Sequence, residues 1–253
     1  MSSVTYRISN IIQPRGGYLS PSKFETIELQ DKFTLHPNEN ISASIMGIVV
    51  DYMTRFMKSE SKKEAFSISL KGAKIVFEDD KADIFLSEIT GLDDKSLLFA
   101  CKLARYDTAY REGIKAFKSL PNVEPNSATL ENIRIMIKRS LSFVEKYGPI
   151  KKYGFTFGPN GYTSIITHGD GDFLTKDTMW DFKVSKNELA SKYTLQLVIY
   201  YLMGKHSGNK IFDNITNIGF FNPRKNKVYI YDMNKFDLEL IKEIEEKIIG
   251  YKK

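Results

Sequence analysis

Hydrophobic residues in the first part of the chain recur at helical spacing. Over 41–57 an apolar side chain returns every three or four positions, which predicts an amphipathic helix. A serine followed three residues later by a glutamate, Ser61 and Glu64, is typical of the capping box at the start of a second helix. The same helical spacing predicts further helices over 94–118 and 127–147.

The last hundred residues change to the alternation of apolar and polar positions that strands show. The predicted strands cover 153–157, 162–174, 178–184, 215–221 and 227–232. Turn-forming residues separate the first three strands, at 158–161 and at Lys176-Asp177. Between the third and fourth strands we expect a helix that is capped by Ser185 and Glu188 and closed by Gly204.

The order of these elements predicts an α/β fold, a mixed β-sheet flanked by helices. Residues 58–150 would form a helical elaboration of the N-terminal half, and residues 150–232 would carry the core of the sheet. A last amphipathic helix is expected over 238–249, whereas residues 1–40 are rich in turn signals. The length of 253 residues suits one elaborated domain, 1–253.

Composition narrows the class of protein. The net charge of +6 suits a polyanionic partner, although an excess of this size is also common in proteins that never bind nucleic acid. The single cysteine, Cys101, excludes an internal disulfide framework and a four-cysteine iron–sulfur cluster. No apolar run approaches the length of a membrane span, and the N-terminus lacks the layout of a secretory signal. We therefore expect a cytoplasmic protein without a membrane partner.

Two carboxylates and a lysine meet on the predicted hairpin around Lys176-Asp177. Alternation along the second strand sends Asp181 and Lys183 to one face, and Asp172 lies across the turn. Carboxylates this close repel each other unless they share a proton or hold a cation. A hard divalent metal on these oxygens, with the lysine handling a water or an anion, would satisfy them.

Other interpretations remain open for these residues. Asp170-Gly171-Asp172 also suits a plain polar turn, or the Asp-x-Asp of a nucleotide-sugar transferase, for which no nucleotide-binding half precedes it. Asp181 and Lys183 could be a pair on an exposed strand. The helix that follows carries Gln196 and Tyr200 one turn apart in apolar surroundings, and a glutamine buried there needs a polar partner.

Three short motifs occur in order within 150–232. They are Gly169-Asp170-Gly171-Asp172, Asp181-Phe182-Lys183 and Gln196-Leu197-Val198-Ile199-Tyr200. Together they resemble the Gly-x-x-Asp, Asp-x-Lys and Gln-x-x-x-Tyr elements of the PD-(D/E)XK nuclease superfamily, in its RecB-like branch. The resemblance implies a restriction-endonuclease-like core that hydrolyses phosphodiester bonds of DNA, single- or double-stranded.

The resemblance also implies roles for individual residues. Asp172, Asp181 and the backbone carbonyl of Phe182 would hold Mg²⁺ or Mn²⁺. Lys183 would orient or deprotonate the attacking water, or steady the charge that grows on the phosphate. Gln196 and Tyr200 on the following helix would help hold the nucleic acid or the catalytic groups.

RecB-like members usually add an upstream Gly-x-x-x-His, whose histidine joins the metal. The counterpart in this chain is Gly47-Ile48-Val49-Val50-Asp51, which has an aspartate in the place of the histidine. Asp51 could be a third metal ligand or could pair with Arg55, four residues on. This departure keeps an alternative function open, that of an inactive nuclease-fold protein that binds nucleic acid or a protein partner.

Overall fold

The computed structural model describes residues 2–58 and 60–252. Within these ranges the chain divides into two compact units. We call the first the sheet unit; it combines residues up to Leu29 with those from Val144 onward. The second, the helical unit, covers Gln30–Phe143. The predicted helical elaboration at 58–150 therefore falls mostly in the helical unit.

Helices occur in both units. In chain order they are α1 Val4–Ser9, α2 Ala43–Met57, α3 Lys62–Ala65, α4 Ser67–Ile75, α5 Asp79–Ser87, α6 Asp94–Ala104, α7 Asp107–Arg111, α8 Ile114–Ser119, α9 Ser127–Tyr147, α10 Ser191–His206 and α11 Leu238–Glu243. Short 3₁₀ turns lie at Pro21–Lys23, Lys210–Phe212 and Met233–Lys235, and π-helical turns extend α11 over Ile244–Ile249. In the part of the chain that the structure describes, no helix is both long enough and apolar enough to cross a membrane.

A six-stranded sheet organises the sheet unit. Its strands are β1 Glu25–Glu28, β2 Lys152–Phe155, β3 Gly171–Leu174, β4 Thr178–Phe182, β5 Asn217–Asn222 and β6 Lys227–Asp232. Their order across the sheet is β1-β6-β5-β4-β3-β2. β4 and β5 are parallel, and every other neighbouring pair is antiparallel. The predicted α/β class, with a mixed sheet flanked by helices, is confirmed.

The β3–β4 hairpin forms where the sequence predicts it. The turn at Lys176-Asp177 is closed by a hydrogen bond from the Thr175 N–H to the Thr178 carbonyl, 3.0 Å. Behind the turn the fully buried Trp180 donates to Thr175 Oγ1 at 2.9 Å, and its ring stacks on that of Phe173. Local turn chemistry and a buried aromatic pair thus fix the register of this hairpin.

The predicted strand over 162–174 is wrong in its first part, because regular pairing begins only at Gly171. The Thr163 hydroxyl accepts hydrogen bonds from the N–H groups of Ile165 and Ile166, both at 3.1 Å. The Tyr162 hydroxyl donates to the Gly169 carbonyl at 2.8 Å. These side chains satisfy backbone groups that a strand would pair, so the segment folds as a loop.

The predicted cap of α10 is also wrong. The Ser185 hydroxyl accepts from the Asn187 N–H at 3.0 Å, and Glu188 pairs with Lys225. The helix therefore begins later, at Ser191, and it continues to His206 rather than ending at Gly204. Its apolar residues are buried in the main core of the sheet unit.

The N-terminal segment contains regular structure that the turn signals did not indicate. Ser3 caps α1 by accepting from the Tyr6 N–H at 3.0 Å, and Val4 and Ile8 on this helix are buried. α1 contacts α10. β1 then pairs with β6 and forms one edge of the sheet. The N-terminal residues are therefore part of the core of the sheet unit.

One prediction for the helical unit is confirmed and one is wrong in detail. Ser61 and Glu64 form the reciprocal hydrogen bonds of a capping box at the start of α3. Cys101 is buried on α6. The helix expected over 94–118 is three helices, α6, α7 and α8, and Gly113 with φ +91° separates the last two. Only glycine adopts that backbone conformation readily, which explains the break.

Candidate functional site

The β3–β4 hairpin brings two carboxylates of the predicted site to one face of the sheet. The strand register pairs Phe173 with Trp180, and its extension by one residue sets Asp172 opposite Asp181. Residues directly opposite in an antiparallel pair have neighbouring Cβ atoms on the same face. Lys183, two residues beyond Asp181, returns to that face. We call Asp172, Asp181, Lys183, Gln196 and Tyr200 together the carboxylate site.

Asp181 is the most enclosed acid of this site, with 6% of its surface exposed. The Lys183 ammonium donates to its Oδ1 at 2.9 Å and lies 2.7 Å from its Oδ2. The second contact is outside hydrogen-bond geometry, so the buried Oδ2 accepts no hydrogen bond. Burial raises the pKa of the Asp181 carboxyl, and the adjacent ammonium of Lys183 acts in the opposite direction.

Asp172 is half-buried and is bound to the backbone of the opposite strand. Its Oδ2 accepts from the Phe182 N–H at 2.7 Å. This side-chain contact lies just beyond the last backbone pair of the hairpin, so it anchors the carboxylate at the end of the β3–β4 ladder. The contact of Phe182 with Asp172 is made by its N–H group, and the metal-binding role of its carbonyl stays a prediction.

The Lys183 ammonium lies near two negatively charged carboxylates and an aromatic ring. Burial disfavours its ammonium, but the charges of Asp181 and Asp172 outweigh burial and raise the pKa of Lys183. The ammonium also lies over the ring of Tyr193, 4.9 Å from the centroid. In this arrangement Lys183 is a fixed cation, a form that can orient water or a phosphate oxygen rather than accept a proton.

Tyr200 and Gln196 lie on α10, as their spacing of one helical turn predicts. Gln196 Nε2 donates to the Tyr200 hydroxyl at 3.2 Å and reaches Thr5 Oγ1 at 3.4 Å, so the glutamine has the polar partner expected of it. Tyr200 is only 6% exposed. Burial raises its pKa, and the charges of Asp181, Asp170 and Asp172 raise it further. The hydroxyl therefore remains protonated within the field of the carboxylates.

Asp51 belongs to α2 of the helical unit. Its carboxylate lies 4.0 Å from the Arg55 guanidinium, as the i,i+4 spacing predicts. Arg55 in turn contacts Glu60 at 2.8 Å. Burial raises the pKa of the Asp51 carboxyl to about 6, and Arg55 partly offsets the shift. The role of Asp51 as a third metal ligand stays a prediction.

Two residues near the site received no role from the sequence. Asp170 is exposed, and its charge acts on Tyr200. Tyr193 lies one turn before Gln196 on α10 and offers its ring to Lys183. The position of Asp170 within the glycine-aspartate motif could have indicated its role. The contact of Tyr193 depends on how α10 packs against β4, which no local pattern predicts.

The donor set suits a hard divalent cation in part. Asp172 and Asp181 supply oxygens on one face, and the buried Asp181 Oδ2 accepts no hydrogen bond, as a ligand atom would before metal binding. Within residues 2–58 and 60–252, no group of three or more His, Cys, Asp or Glu side chains is placed to hold a metal ion. A cation on this pair would therefore take its remaining oxygens from the backbone, water or a substrate.

Because comparison with known proteins finds no match, a function is assigned from the residues of this chain and their geometry. The chain matches no protein-family model, no curated protein and no solved structure.

Proposed function

We propose that this protein is a divalent-metal-dependent nuclease of the PD-(D/E)XK superfamily, RecB-like branch, which hydrolyses phosphodiester bonds of DNA. The observation that carries the proposal is the shared face of the β3–β4 hairpin. There the register, extended by one residue beyond the pair of Phe173 with Trp180, would set Asp172 opposite Asp181, and Lys183 contacts the Asp181 carboxylate at 2.7–2.9 Å. These are the groups that the three motifs assign to catalysis.

The order of elements around the hairpin supports the same proposal. β2, β3 and β4 form an antiparallel meander, α10 follows, and β5 then pairs parallel to β4. A meander, a helix and a final hairpin in this order match the nuclease core that the resemblance implies. α10 carries Gln196 and Tyr200, and the Tyr200 hydroxyl is subject to the charges of the hairpin carboxylates.

In the proposed reaction, Asp172 and Asp181 would hold Mg²⁺ or Mn²⁺. Such a metal polarises the phosphoryl oxygens and stabilises the leaving group as water attacks in line. Lys183 keeps its positive charge beside the carboxylates and would orient the water or a phosphate oxygen. Tyr200 stays protonated, and the amide of Gln196 fixes its hydroxyl, which can donate a hydrogen bond to the phosphate.

A second candidate function is a nuclease-fold protein that binds nucleic acid or a protein partner without turnover. The observation that favours it is the contact of Lys183 with both oxygens of Asp181, which neutralises the carboxylate without a metal. The absence of a three-residue ligand group from the described ranges agrees with it. The two candidates differ in cleavage and not in binding.

A cleavage assay with matched variants separates the two functions. Plasmid DNA and labelled single strands are incubated with Mg²⁺ or Mn²⁺, and products are resolved on gels. We expect cleavage by the wild type and loss of about a hundredfold or more in Asp181→Asn and Lys183→Ala. Asp177→Asn and Lys176→Ala change the same residue types at the exposed turn of the same hairpin and should leave cleavage unchanged.

DNA binding in EDTA completes the comparison. Both catalytic-site variants should bind DNA about as tightly as the wild type, and binding should weaken as salt rises because phosphate contacts release counterions. A wild type that binds DNA but cleaves neither DNA nor RNA with either metal would reject the nuclease and support the binding protein. Cleavage that persists in Asp181→Asn would place the chemistry elsewhere.

A further inference from the structure

A cleft in the helical unit collects positive charge and aromatic surface. It encloses about 170 Å³ between α5, the C-terminal end of α6 and the loop after α8. We call it the basic cleft; its lining includes Lys81, Phe85, Lys102, Arg105, Tyr106 and Glu124. Drug-sized ligands occupy pockets of about 300–1,000 Å³, so this volume suits a small ligand or one unit of a longer chain.

The charge of the basic cleft is positive. Lys81, Lys102 and Arg105 line it together with one acid, Glu124, and Glu78 beside the lining residues pairs with Lys81 at 3.2 Å. Lys102 lies 2.9 Å from the Glu124 carboxylate, and that carboxylate is 66% exposed. An ion pair this exposed is weak and is readily exchanged for a polyvalent anion. The cleft is therefore suited to a ligand that carries negative charge.

Arg105 is fixed in place by uncharged groups, although the Glu78 carboxylate also interacts with its charge. Its guanidinium donates to the carbonyls of Phe117 and Leu120 at 3.3 Å and 2.9 Å. It also lies over the Phe117 ring, 4.2 Å from the centroid. Carbonyls and rings orient a guanidinium but carry no net negative charge, so the cation remains available to an anion in the cleft.

An aromatic surface adjoins the cations. Phe85 lies one helical turn after Lys81 on α5, is half-buried, and contacts the ring of Phe99 on α6. Tyr106 is held by stacking on Phe117 and by its hydroxyl, which donates to Glu78 at 2.5 Å. The Lys81 ammonium lies over the Phe85 ring, 5.8 Å from its centroid, so a flat ligand that meets this ring also meets the cation.

We propose that the basic cleft binds a nucleotide. Lys81, Lys102 and Arg105 hold the phosphate, and the base lies against Phe85. The nucleotide can be a free nucleoside phosphate or one unit of a single strand, because both present the same phosphate and base. This binding site is separate from the carboxylate site in its residues, and it does not require that the protein be a nuclease.

The alternative interpretation is that these charged residues only stabilise the fold and that the cleft binds no ligand. In that interpretation, the pair of Lys102 and Glu124 attaches the loop to α6, Lys81 only pairs with Glu78, and Arg105 only bonds the loop carbonyls. The two interpretations predict different results for the substitution Glu124→Gln. If the pair is only structural, its loss leaves ligand binding unchanged. If the cleft binds phosphate, removal of the competing carboxylate tightens binding.

Binding is measured on the full chain in EDTA, where divalent-metal cleavage is suppressed. The probes are a fluorescent oligothymidylate followed by anisotropy, and dTMP and pyrophosphate followed by calorimetry. We expect Lys81→Gln combined with Lys102→Gln to weaken binding to the preferred probe about tenfold or more. The matched control, Lys63→Gln combined with Lys74→Gln, removes two exposed charges that do not line the cleft and should bind as the wild type does.

The base is tested by Phe85→Leu, which keeps an apolar side chain and removes the ring. It should weaken binding of dTMP or the oligonucleotide severalfold and leave pyrophosphate unaffected. Preference for the oligonucleotide assigns the cleft to a strand, and preference for dTMP assigns it to a free nucleotide. Equal binding by the Lys81/Lys102 variant, no effect of Phe85→Leu, or no binding of any probe would each overturn the proposal.

Different variants test the nucleotide site and the nuclease site. Asp181→Asn should leave binding in the basic cleft unchanged, and the Lys81/Lys102 variant retains every residue of the carboxylate site. Circular dichroism of each variant checks that the helices are intact. A protein that fails to cleave but shows the pattern above in EDTA keeps the nucleotide site and loses only the nuclease.

Discussion

Asp181 and Lys183 are two residues apart, and each is the main electrostatic partner of the other. The carboxylate is almost fully enclosed and the lysine side chain is 24% exposed. Removing one member of a buried pair leaves the other charge in a poorly solvated place, which costs more than the pair contributes. Stability and the proposed chemistry therefore depend on the same contact.

Lys183→Ala is expected to lower the free energy of unfolding by roughly 3 kcal/mol near neutral pH. The loss should shrink at about pH 5, because Asp181 without its ammonium takes up a proton more easily and sheds its charge. Urea denaturation at the two pH values measures both effects. Asp181→Asn combined with Lys183→Ala removes the buried charge and should recover much of the loss; a double variant no more stable than the single one would contradict this account.

Asp107 is a second buried carboxylate whose protonation should affect stability. It is fully buried in the helical unit, where it accepts hydrogen bonds from Tyr52, at 2.6 Å, and from Ser69. Burial raises its pKa, while the two hydroxyls and Arg111 act in the opposite direction. A carboxyl with a raised folded pKa stabilises the fold most below its unfolded pKa of about 3.9 and loses that contribution as pH rises through the folded pKa.

Asp107→Asn should therefore be less destabilising, relative to the wild type, at about pH 7 than at about pH 4. The free energies of unfolding of both proteins at the two pH values give the comparison. Asp177→Asn, at an exposed position, serves as the control. A difference between wild type and Asp107→Asn that stays constant with pH would show that this carboxyl titrates alike in the folded and unfolded chains.

Among the elements, α10 links the fold to the candidate site. Tyr200 faces the hairpin carboxylates, whereas its neighbour Tyr201 is half-buried at the edge of the core. Tyr200→Phe removes the hydroxyl that Gln196 holds. Cleavage should fall roughly tenfold to a hundredfold, since a hydrogen bond to a charged group is lost, while stability changes by about 1 kcal/mol or less. Tyr201→Phe should cleave normally; equal losses in both variants would exclude a specific role for Tyr200.

Elements that depend on neighbouring residues could be predicted from the sequence. The capping box at Ser61 and Glu64, the turn at Lys176-Asp177 and the long α9 all form from local patterns. β1 could not be predicted in this way. It has four residues, none of them buried, and it is a strand because β6 supplies its hydrogen bonds from about two hundred residues away.

The candidate site likewise contains contacts that local patterns predict and one contact that they do not. The shared face of Asp181 and Lys183 follows from strand alternation, and the contact of Gln196 with Tyr200 follows from helical spacing. The hydrogen bond of Asp172 to the Phe182 N–H requires the end of the β3–β4 ladder to be known to one residue. The strand expected over 162–174 placed that end wrongly. The Thr163 hydroxyl bonds the backbone N–H groups of Ile165 and Ile166, so this part of the chain does not pair as a strand.

The sheet unit is assembled from two segments of the chain that lie far apart in sequence. Phe24, just before β1, is 5% exposed and packs against Phe220 and Tyr231 on β5 and β6. Phe24→Ala should lower the free energy of unfolding by about 3–5 kcal/mol. Phe77→Ala, at a residue that is 89% exposed, should change it by about 0.5 kcal/mol or less. Thermal denaturation compares them, and similar small effects would mean that the N-terminal segment is not part of the core.

The pairing of β1 with β6 also sets an order of events during synthesis. β1 leaves the ribosome before β6 and stays without its partner until residues 227–232 have been made. The helical unit is continuous in sequence. It can fold in the interval, because residues 30–143 form a compact unit through contacts with one another. Completion of the sheet is then a late step that joins distant segments. During that delay β1, with glutamates at both ends, is a strand whose charges discourage pairing with other chains.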